Sequence, residues 1–319
     1  MFLESFKTTF NAIAQLVFLG GVGYFFVRRK VVSDEGLQSL SRLVIGLCLP
    51  LFMFTEIVAR FSFSLYPDWW IFPLYSVLIT AVGFACGLFA LGLDKSLKKN
   101  QEEFLGITTF QNSGYLPLPL VAALLAPEAA QEMFIYIFLF LLGFNMTIFS
   151  FGVVLLSQAK GRRPDVRSLF SAPVVGTLAA LACVFLKVQA FLPDVLIRPA
   201  EIFGRCTIPL SIFVVGGNLA SLKARGVSRL KPIGWALAIK LVVLPLLFLG
   251  FVMLVKPKPL VGLLIVLQAA MPPAALLSVI SKERNSGDHL ISPSIFYGHL
   301  LSILTVPLFL ALFWLLIGK

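Results

Sequence analysis

The sequence predicts an all-α polytopic membrane protein, with ten transmembrane helices arranged as two inverted five-helix repeats. Three observations predict it. Of the 319 residues, 59% are hydrophobic and 13% charged, and the mean hydropathy is +0.96, a composition outside the range of water-soluble domains. The apolar residues gather in ten runs of about 20, the length that crosses a bilayer as a helix. Two of these runs, the fourth and the ninth, are interrupted by amides and prolines at corresponding places in the two halves of the chain, a pattern that marks a binding site near the bilayer midplane.

The runs extend from Thr9 to Val27, Leu37 to Val58, Trp69 to Leu91, Phe104 to Leu125, Met133 to Leu156, Leu169 to Leu186, Ile197 to Leu219, Ile233 to Val255, Leu260 to Ser281 and Pro293 to Ile317. The first has no basic segment before it and no small-residue cleavage site after it, so it is expected to be a retained helix and not a signal peptide. In the second, Cys48-Leu49-Pro50-Leu51-Phe52-Met53-Phe54 parallels Thr207-Ile208-Pro209-Leu210-Ser211-Ile212-Phe213 in the seventh. Pro50 and Pro209 are each expected to kink their helix. Gly83 and Gly87 in the third run have the GxxxG spacing that lets another helix approach closely.

The fourth run is broken at Gln111-Asn112-Ser113-Gly114-Tyr115-Leu116-Pro117-Leu118-Pro119. Neither proline supplies a backbone N–H, and lipid supplies no water for the freed carbonyls, so the break must be buried in protein or line a polar cavity. Phe110-Gln111 ahead of Pro117 matches Leu267-Gln268 ahead of Pro272 in the ninth run. The polar stretch from Gln158 to Arg167 divides the chain, giving a first repeat at 1–157, a linker at 158–168 and a second repeat at 169–319. An odd number of helices per repeat obliges the second copy to enter from the opposite face, the architecture of secondary transporters.

The distribution of Lys and Arg fixes the expected orientation. Sixteen fall in the loops at 28–30, 95–99, 160–167, 223–231 and 282–284, against seven (Lys7, Arg60, Lys187, Arg198, Lys256, Lys258, Lys319) on the other side. The positive-inside rule then makes the first group cytoplasmic and places both termini outside. The formal charge of +11 is accounted for by these loops, which excludes nucleic acid as a partner. Cys48, Cys86, Cys183 and Cys206 lie within apolar runs, without CxxC spacing, and are read as small core residues.

The candidate substrate-binding residues are Gln111, Asn112, Ser113, Gly114, Tyr115 and Pro117 from the fourth run, Asn145 from the fifth, and Gln268, Met271, Pro272 and Pro273 from the ninth. Half-helices restarting at Pro117 and Pro272 are expected to aim unpaired N–H groups and positive dipole ends at the crossing, a setting for a carboxylate. Tyr115 and Met271 are expected to supply an apolar wall. The competing reading is that these polar groups only stitch kinked helices together, and Asn145 is equally suited to an interhelical hydrogen bond.

Glu56 and Glu201 are the only carboxylates within the runs, both close to the outer surface, which argues against a cation as the main substrate. Arg205 follows Glu201 by four residues, the spacing of a helical ion pair. Lys240, about two turns inside the eighth run, is placed to snorkel to the headgroups or to attract an anion; Arg42 is expected to snorkel. Glu56, Glu201, Arg205 and Lys240 are therefore the candidates for coupling or counter-charge. No metal site and no cofactor are predicted. A hydrolase would need a Ser/His or paired-Asp constellation, and His289 and His299 have no GxSxG elbow to serve, so the chain is not read as an enzyme.

At these residues the chain resembles the auxin efflux carrier family. The first break is similar to that family's first crossover; Gln268-Ala269-Ala270-Met271-Pro272-Pro273 with Ser302-Ile303-Leu304-Thr305-Val306-Pro307 is similar to its second crossover and last helix; and Ile208-Pro209-Leu210-Ser211-Ile212-Phe213-Val214-Val215-Gly216-Gly217 to its seventh. The resemblance implies a fold shared in outline with bile-acid symporters and sodium/proton antiporters, with helices 1, 2, 6 and 7 as a scaffold and helices 3–5 and 8–10 as a moving transport domain. It also implies a homodimer, an elevator motion and a small organic anion as substrate. The long cytoplasmic loop of the plant exporters is replaced here by the short linker, and the third run has no Asp, Glu, Lys, Arg or His between Trp69 and Leu91 to match an ionisable pair of the plant exporters.

The expectation is a secondary transporter that exports a carboxylate under the membrane potential or with proton linkage, in a bacterial inner (plasma) membrane. The alternatives are a proton- or sodium-coupled importer and, from another class, an anion channel or non-transporting sensor.

Overall fold

The computed structural model describes residues 2–156, 169–221, 230–283 and 289–317. The linker at 158–168, the basic residues at 160–167 and 223–229, Arg284, Lys319 and the side chain of Lys282 lie outside the described residues. Within them the chain is nearly all helix, with no strand and one isolated antiparallel bridge, between Gln111 and Pro273.

Helix α1 is Phe2–Arg28, and α2 is Asp34–Arg60. Ser33 caps α2 by accepting from the Gly36 N–H at 3.1 Å, with Asp34 and Glu35 in the first turn favouring the dipole. Then come α3 (Ile71–Leu93), the half-helices α4 (Gln101–Thr109) and α5 (Pro117–Leu124), and α6 (Pro127–Leu155). The second half holds α7 (Ala172–Phe185), α8 (Asp194–Ser221), α9 (Leu230–Val255), the half-helices α10 (Pro259–Ala270) and α11 (Leu276–Glu283), and α12 (Ile291–Leu316).

Seven helices among the described residues (α1, α2, α3, α6, α8, α9 and α12) are long and apolar enough to cross a membrane. The other three expected runs take different forms. The fourth and ninth are each split in two. The sixth yields 14 residues in α7, about 21 Å at the helical rise, short of a hydrocarbon core of about 30 Å.

The prolines leave their marks where the sequence places them. Pro50 follows a π-turn at Val44–Cys48, and Pro245 follows another at Ile239–Val243. A proline removes the N–H that would close the previous turn, and the wider turn accommodates the loss. In α8 the helix is interrupted at Cys206, three residues ahead of Pro209.

Glycines set the closest approaches. A Cβ on Gly216 of α8 would lie 1.8 Å from the Gly20 carbonyl oxygen of α1, and one on Gly176 of α7 would lie 2.8 Å from the Pro50 carbonyl oxygen of α2. The GxxxG glycines of α3 lie against Thr108 of α4, where a Cβ on Gly83 would come within 2.5 Å of the Thr108 carbonyl oxygen. The core runs through α6, buried continuously from Met133 to Phe144, and through α10 from Gly262 to Ala270. Helices apolar all round belong inside other helices. Phe18, Phe89, Phe185 and Leu254 stay exposed on the outer faces, as a lipid-facing surface requires.

Candidate functional site

The two breaks meet face to face. The Asn112 N–H donates to the Pro272 carbonyl at 2.8 Å, and the Ala274 N–H donates to the Phe110 carbonyl at 3.1 Å. Backbone groups released from both helices thus satisfy each other, as non-helical backbone at membrane depth must. Met271 is extended (ψ 142°), the conformation forced on a residue ahead of proline. Gly298 of α12 makes room for the crossing, since a Cβ there would lie 2.7 Å from Pro273 Cδ.

Two side chains complete it. Gln268 Nε2 donates to the Ser113 carbonyl at 3.1 Å. Lys240, on the π-turn of α9, is fully buried, and its Nζ donates to the Thr108 and Thr109 carbonyls at 3.2 and 3.3 Å and to Gln111 Oε1 at 3.3 Å. An ammonium has three donors and here has three acceptors, two of them the last carbonyls of α4, the negative end of its dipole. Snorkelling, one of the two readings open for Lys240 in the sequence, is therefore corrected: three acceptors at a helix end hold the charge inside.

A second expectation is also corrected. The restarting half-helices do not aim free N–H groups at the crossing. Pro117 and Pro119 have no N–H, and the Leu118 and Leu120 N–H groups donate to the Gly114 and Leu116 carbonyls. The second restart comes at Leu276, not Pro272, and the Leu277 and Ser278 N–H groups close on Ala274 and Ala275. Those four N–H groups are taken up within their own turns, and the other donors at the break include side chains such as Gln111 Nε2.

Those donors surround a cavity of about 90 Å³ beside the first break. One wall is Gln111 to Tyr115 with Leu118, Asn145 and Phe149; the opposite wall is Val44, Ile45 and Leu49 of α2, Ser171 and Pro173 at the start of α7, and Thr207 and Ser211 of α8. Lys240 takes the Gln111 carbonyl oxygen, which leaves Gln111 Nε2 buried without a partner. Ser171 Oγ and Thr207 Oγ1 are likewise buried without partners among the described residues. No Asp or Glu among the described residues lines the cavity.

Of the sequence candidates, Gln111, Asn112, Ser113, Gly114, Tyr115 and Asn145 line this cavity. Pro117, Gln268, Met271, Pro272 and Pro273 do not, although the second break reaches the cavity through Ala274, Ala275 and Leu276; Met271 is fully buried in the core. The Tyr115 hydroxyl reaches Ser41 Oγ at 3.3 Å.

The remaining charged candidates lie apart. Glu56 pairs with Arg60 at 2.9 Å near the end of α2. Glu201 and Arg205 form no ion pair, Arg205 being exposed at the end of its helical segment, where the attraction does not repay the ordering of two side chains. Arg42 is exposed.

Sequence reasoning missed four groups. Ser171 and Thr207 supply donors from the opposite wall, and Thr207 stood in the very motif that matched the two halves. Glu103 is buried, and its Oε2 accepts from the Leu290 and Ile291 N–H groups at 2.6 and 3.3 Å, capping α12; its neighbour Glu102 makes it look like a solvated first turn. His299, considered only as a hydrolase partner, lies 3.1 Å from Asn112 through its Nε2 and does not bond Ser113. A lone histidine within a membrane run was the available signal.

The family described as membrane transport protein matches residues 8–168 and 165–310, nearly the whole chain including both breaks. The chain belongs to that family, the auxin efflux carriers. The transporter is similar to an uncharacterized transporter of Methanothermobacter thermautotrophicus, with 24% identity over 313 residues covering 97% of this chain and 98% of the relative. It is also similar to Protein PIN-LIKES 1 of Arabidopsis thaliana, with 20% identity over 383 positions covering 98% of this chain and 80% of the relative. The family is one of membrane transporters and not of enzymes, and the transporter is an integral membrane protein.

Proposed function

We propose that the protein carries a small organic anion, a carboxylate, across the membrane by alternating access, with export as its direction. The observation that carries this is the cavity whose lining residues include Gln111 on one wall and Ser171 and Thr207 on the other, each with a buried donor unpaired among the described residues (Nε2, Oγ and Oγ1), and no carboxylate among the described lining residues. An anion bound between such walls links them only while it is present, as a carrier requires.

In this reading α1, α2, α7 and α8 form the scaffold, and the helices bearing the crossing move against it in an elevator-like stroke. The glycine contacts of α1 with α8 and of α2 with α7 support two inverted five-helix repeats and ten spans. Lys231 pairs with Asp94 at 2.7 Å and Ser221 bonds Asp34 at 2.6 Å, gathering basic connectors at one end, which supports a cytoplasmic end there and termini outside. The protein works as a homodimer in a bacterial inner membrane. An inside-negative potential favours export of a net negative complex by about 2.3 kcal/mol per charge per 100 mV.

Purified protein in liposomes is expected to give saturable efflux of radiolabelled succinate that accelerates under an imposed inside-negative potential. Flux indifferent to potential and dependent on Na⁺ overturns the export reading in favour of an importer, and unitary conductance steps would make it a channel.

A further inference from the structure

We infer that His299 is a proton-binding site linked to anion binding through a turn of the Asn112 side-chain amide. This rests on the anion reading of the 90 Å³ cavity, and adds to it a second ligand, the proton.

The hydrogen-bond partners leave one assignment for the neutral ring. His299 is buried on α12, and its Nδ1 lies 2.8 Å from the Ile295 carbonyl, which can only accept. Nδ1 therefore carries the hydrogen. The Nε2 of a neutral imidazole is then bare, and the Asn112 atom facing it at 3.1 Å is the amide nitrogen, Nδ2. Asn112 Oδ1 is left without a hydrogen-bond partner among the described residues, on a side chain that lines the cavity. In this state the cavity is offered an acceptor oxygen, a poor match for a carboxylate.

Protonation reverses the offer. An imidazolium carries hydrogen on both nitrogens, and its Nε2–H can face only an acceptor. The Asn112 amide must turn over, giving Oδ1 to the ring and its NH₂ group to the cavity beside Gln111 Nε2. One N–H bond forms on Nε2, with the proton taken from water and returned to water on release. A single proton thereby exchanges an acceptor for two donors at the anion's position.

The surroundings tie the proton to the anion. From α1, Tyr24 shares with His299 a second, apolar cavity of about 300 Å³; α5 and α8 bring only apolar residues to it. From α9, Lys240 holds the neighbouring Gln111. Tyr115 in the break is bonded to Ser41, α10 brings Gln268 and no titratable group, and Glu103 of α4 sits at the start of α12, about two turns from His299. No carboxylate among the described residues lines either cavity, so the bound anion is the counter-charge, and the ammonium of Lys240 opposes a second cation when the anion is absent. The coupling is reciprocal: the anion raises the affinity for the proton by the same factor as the proton raises that for the anion. A monocarboxylate carried with this proton crosses as a neutral complex on which the potential does not act; a dicarboxylate keeps one charge on which it does.

The test is titration calorimetry of the purified full-length protein with benzoate and with succinate, in pairs of buffers of different ionisation enthalpy, from about pH 6 to pH 9, where benzoate stays ionised. The expected result is uptake of about one proton per benzoate, with Kd rising about tenfold per pH unit on the alkaline side. His299→Gln, which cannot titrate, is expected to bind with a Kd independent of pH and without proton uptake. Wild-type binding with a flat Kd and no uptake overturns the proton site and leaves the anion reading standing. Absence of binding of either anion at every pH overturns both. Should His299→Gln fail to fold, His299→Asn takes its place, and proton uptake that persists in either variant overturns the assignment to His299.

Discussion

Gln111 and Gln268 occupy matching places ahead of the two breaks, and their amides do opposite things. Gln111 gives its oxygen to Lys240 and leaves its nitrogen facing the cavity; Gln268 gives its nitrogen to the Ser113 carbonyl and leaves its oxygen buried. The first break lines the cavity with polar groups, whereas the second brings Ala274 and Ala275 to it, and two backbone hydrogen bonds join the breaks. Similar sequences thus make similar bends, and the function of each bend is decided by which partner it meets. Lys240 on one side of the first break and His299 on the other have no equivalents at the second.

This asymmetry can be broken in order of expected size. Lys240→Met leaves the Thr108 and Thr109 carbonyls without their donor and frees the Gln111 amide to turn. With charged hydrogen bonds contributing about 1.5–3 kcal/mol each, a fall of several degrees in Tm and loss of anion flux are expected in thermal melts and liposome assays. Gln111→Ala and Gln268→Ala separate binding from support. The first is expected to weaken anion binding by about tenfold or more and, by leaving the buried Lys240 ammonium one acceptor short, to lower Tm as well; the second is expected to lower stability by about 1–2 kcal/mol with Kd nearly unchanged, so that Kd separates them. Equal effects of the two on Kd would show the breaks to be equivalent after all.

The smallest effect is expected far from the crossing. The Lys231 ammonium, with Ser96, holds the Asp94 carboxyl well below the usual carboxylate range, at about 2. The contact therefore contributes fully above about pH 5, where an unfolded Asp is already ionised, and is lost as pH falls toward 2. Asp94→Asn is expected to remove this acid sensitivity in melts recorded across that window, while anion affinity stays at the wild-type value.

The broken helices, the matched prolines and the polar face of the first break were legible because proline and amides in hydrocarbon have few structural explanations. The opposite wall was not. Ser171 and Thr207 are ordinary residues at helix starts, and only the fold brings them to the cavity. Lys240 was legible as an anomaly and misplaced by depth, since distance along a helix does not show what acceptors lie across from it. The free N–H groups expected at Pro117 and Pro272 failed for a local reason: each restart closes on its own preceding carbonyls, a turn geometry that the sequence pattern does not encode. Glu103 was hidden by standing next to a solvated glutamate.

The Gly20 and Gly216 contact between α1 and α8 has a mechanical meaning. Where side chains interdigitate, two helices can slip by a notch and find another set of holes. Where backbone lies on backbone there is one seat, and any slip lifts the helices apart before a new contact forms. That joint acts as a key in a keyway, holding α1 and α8 to a single register.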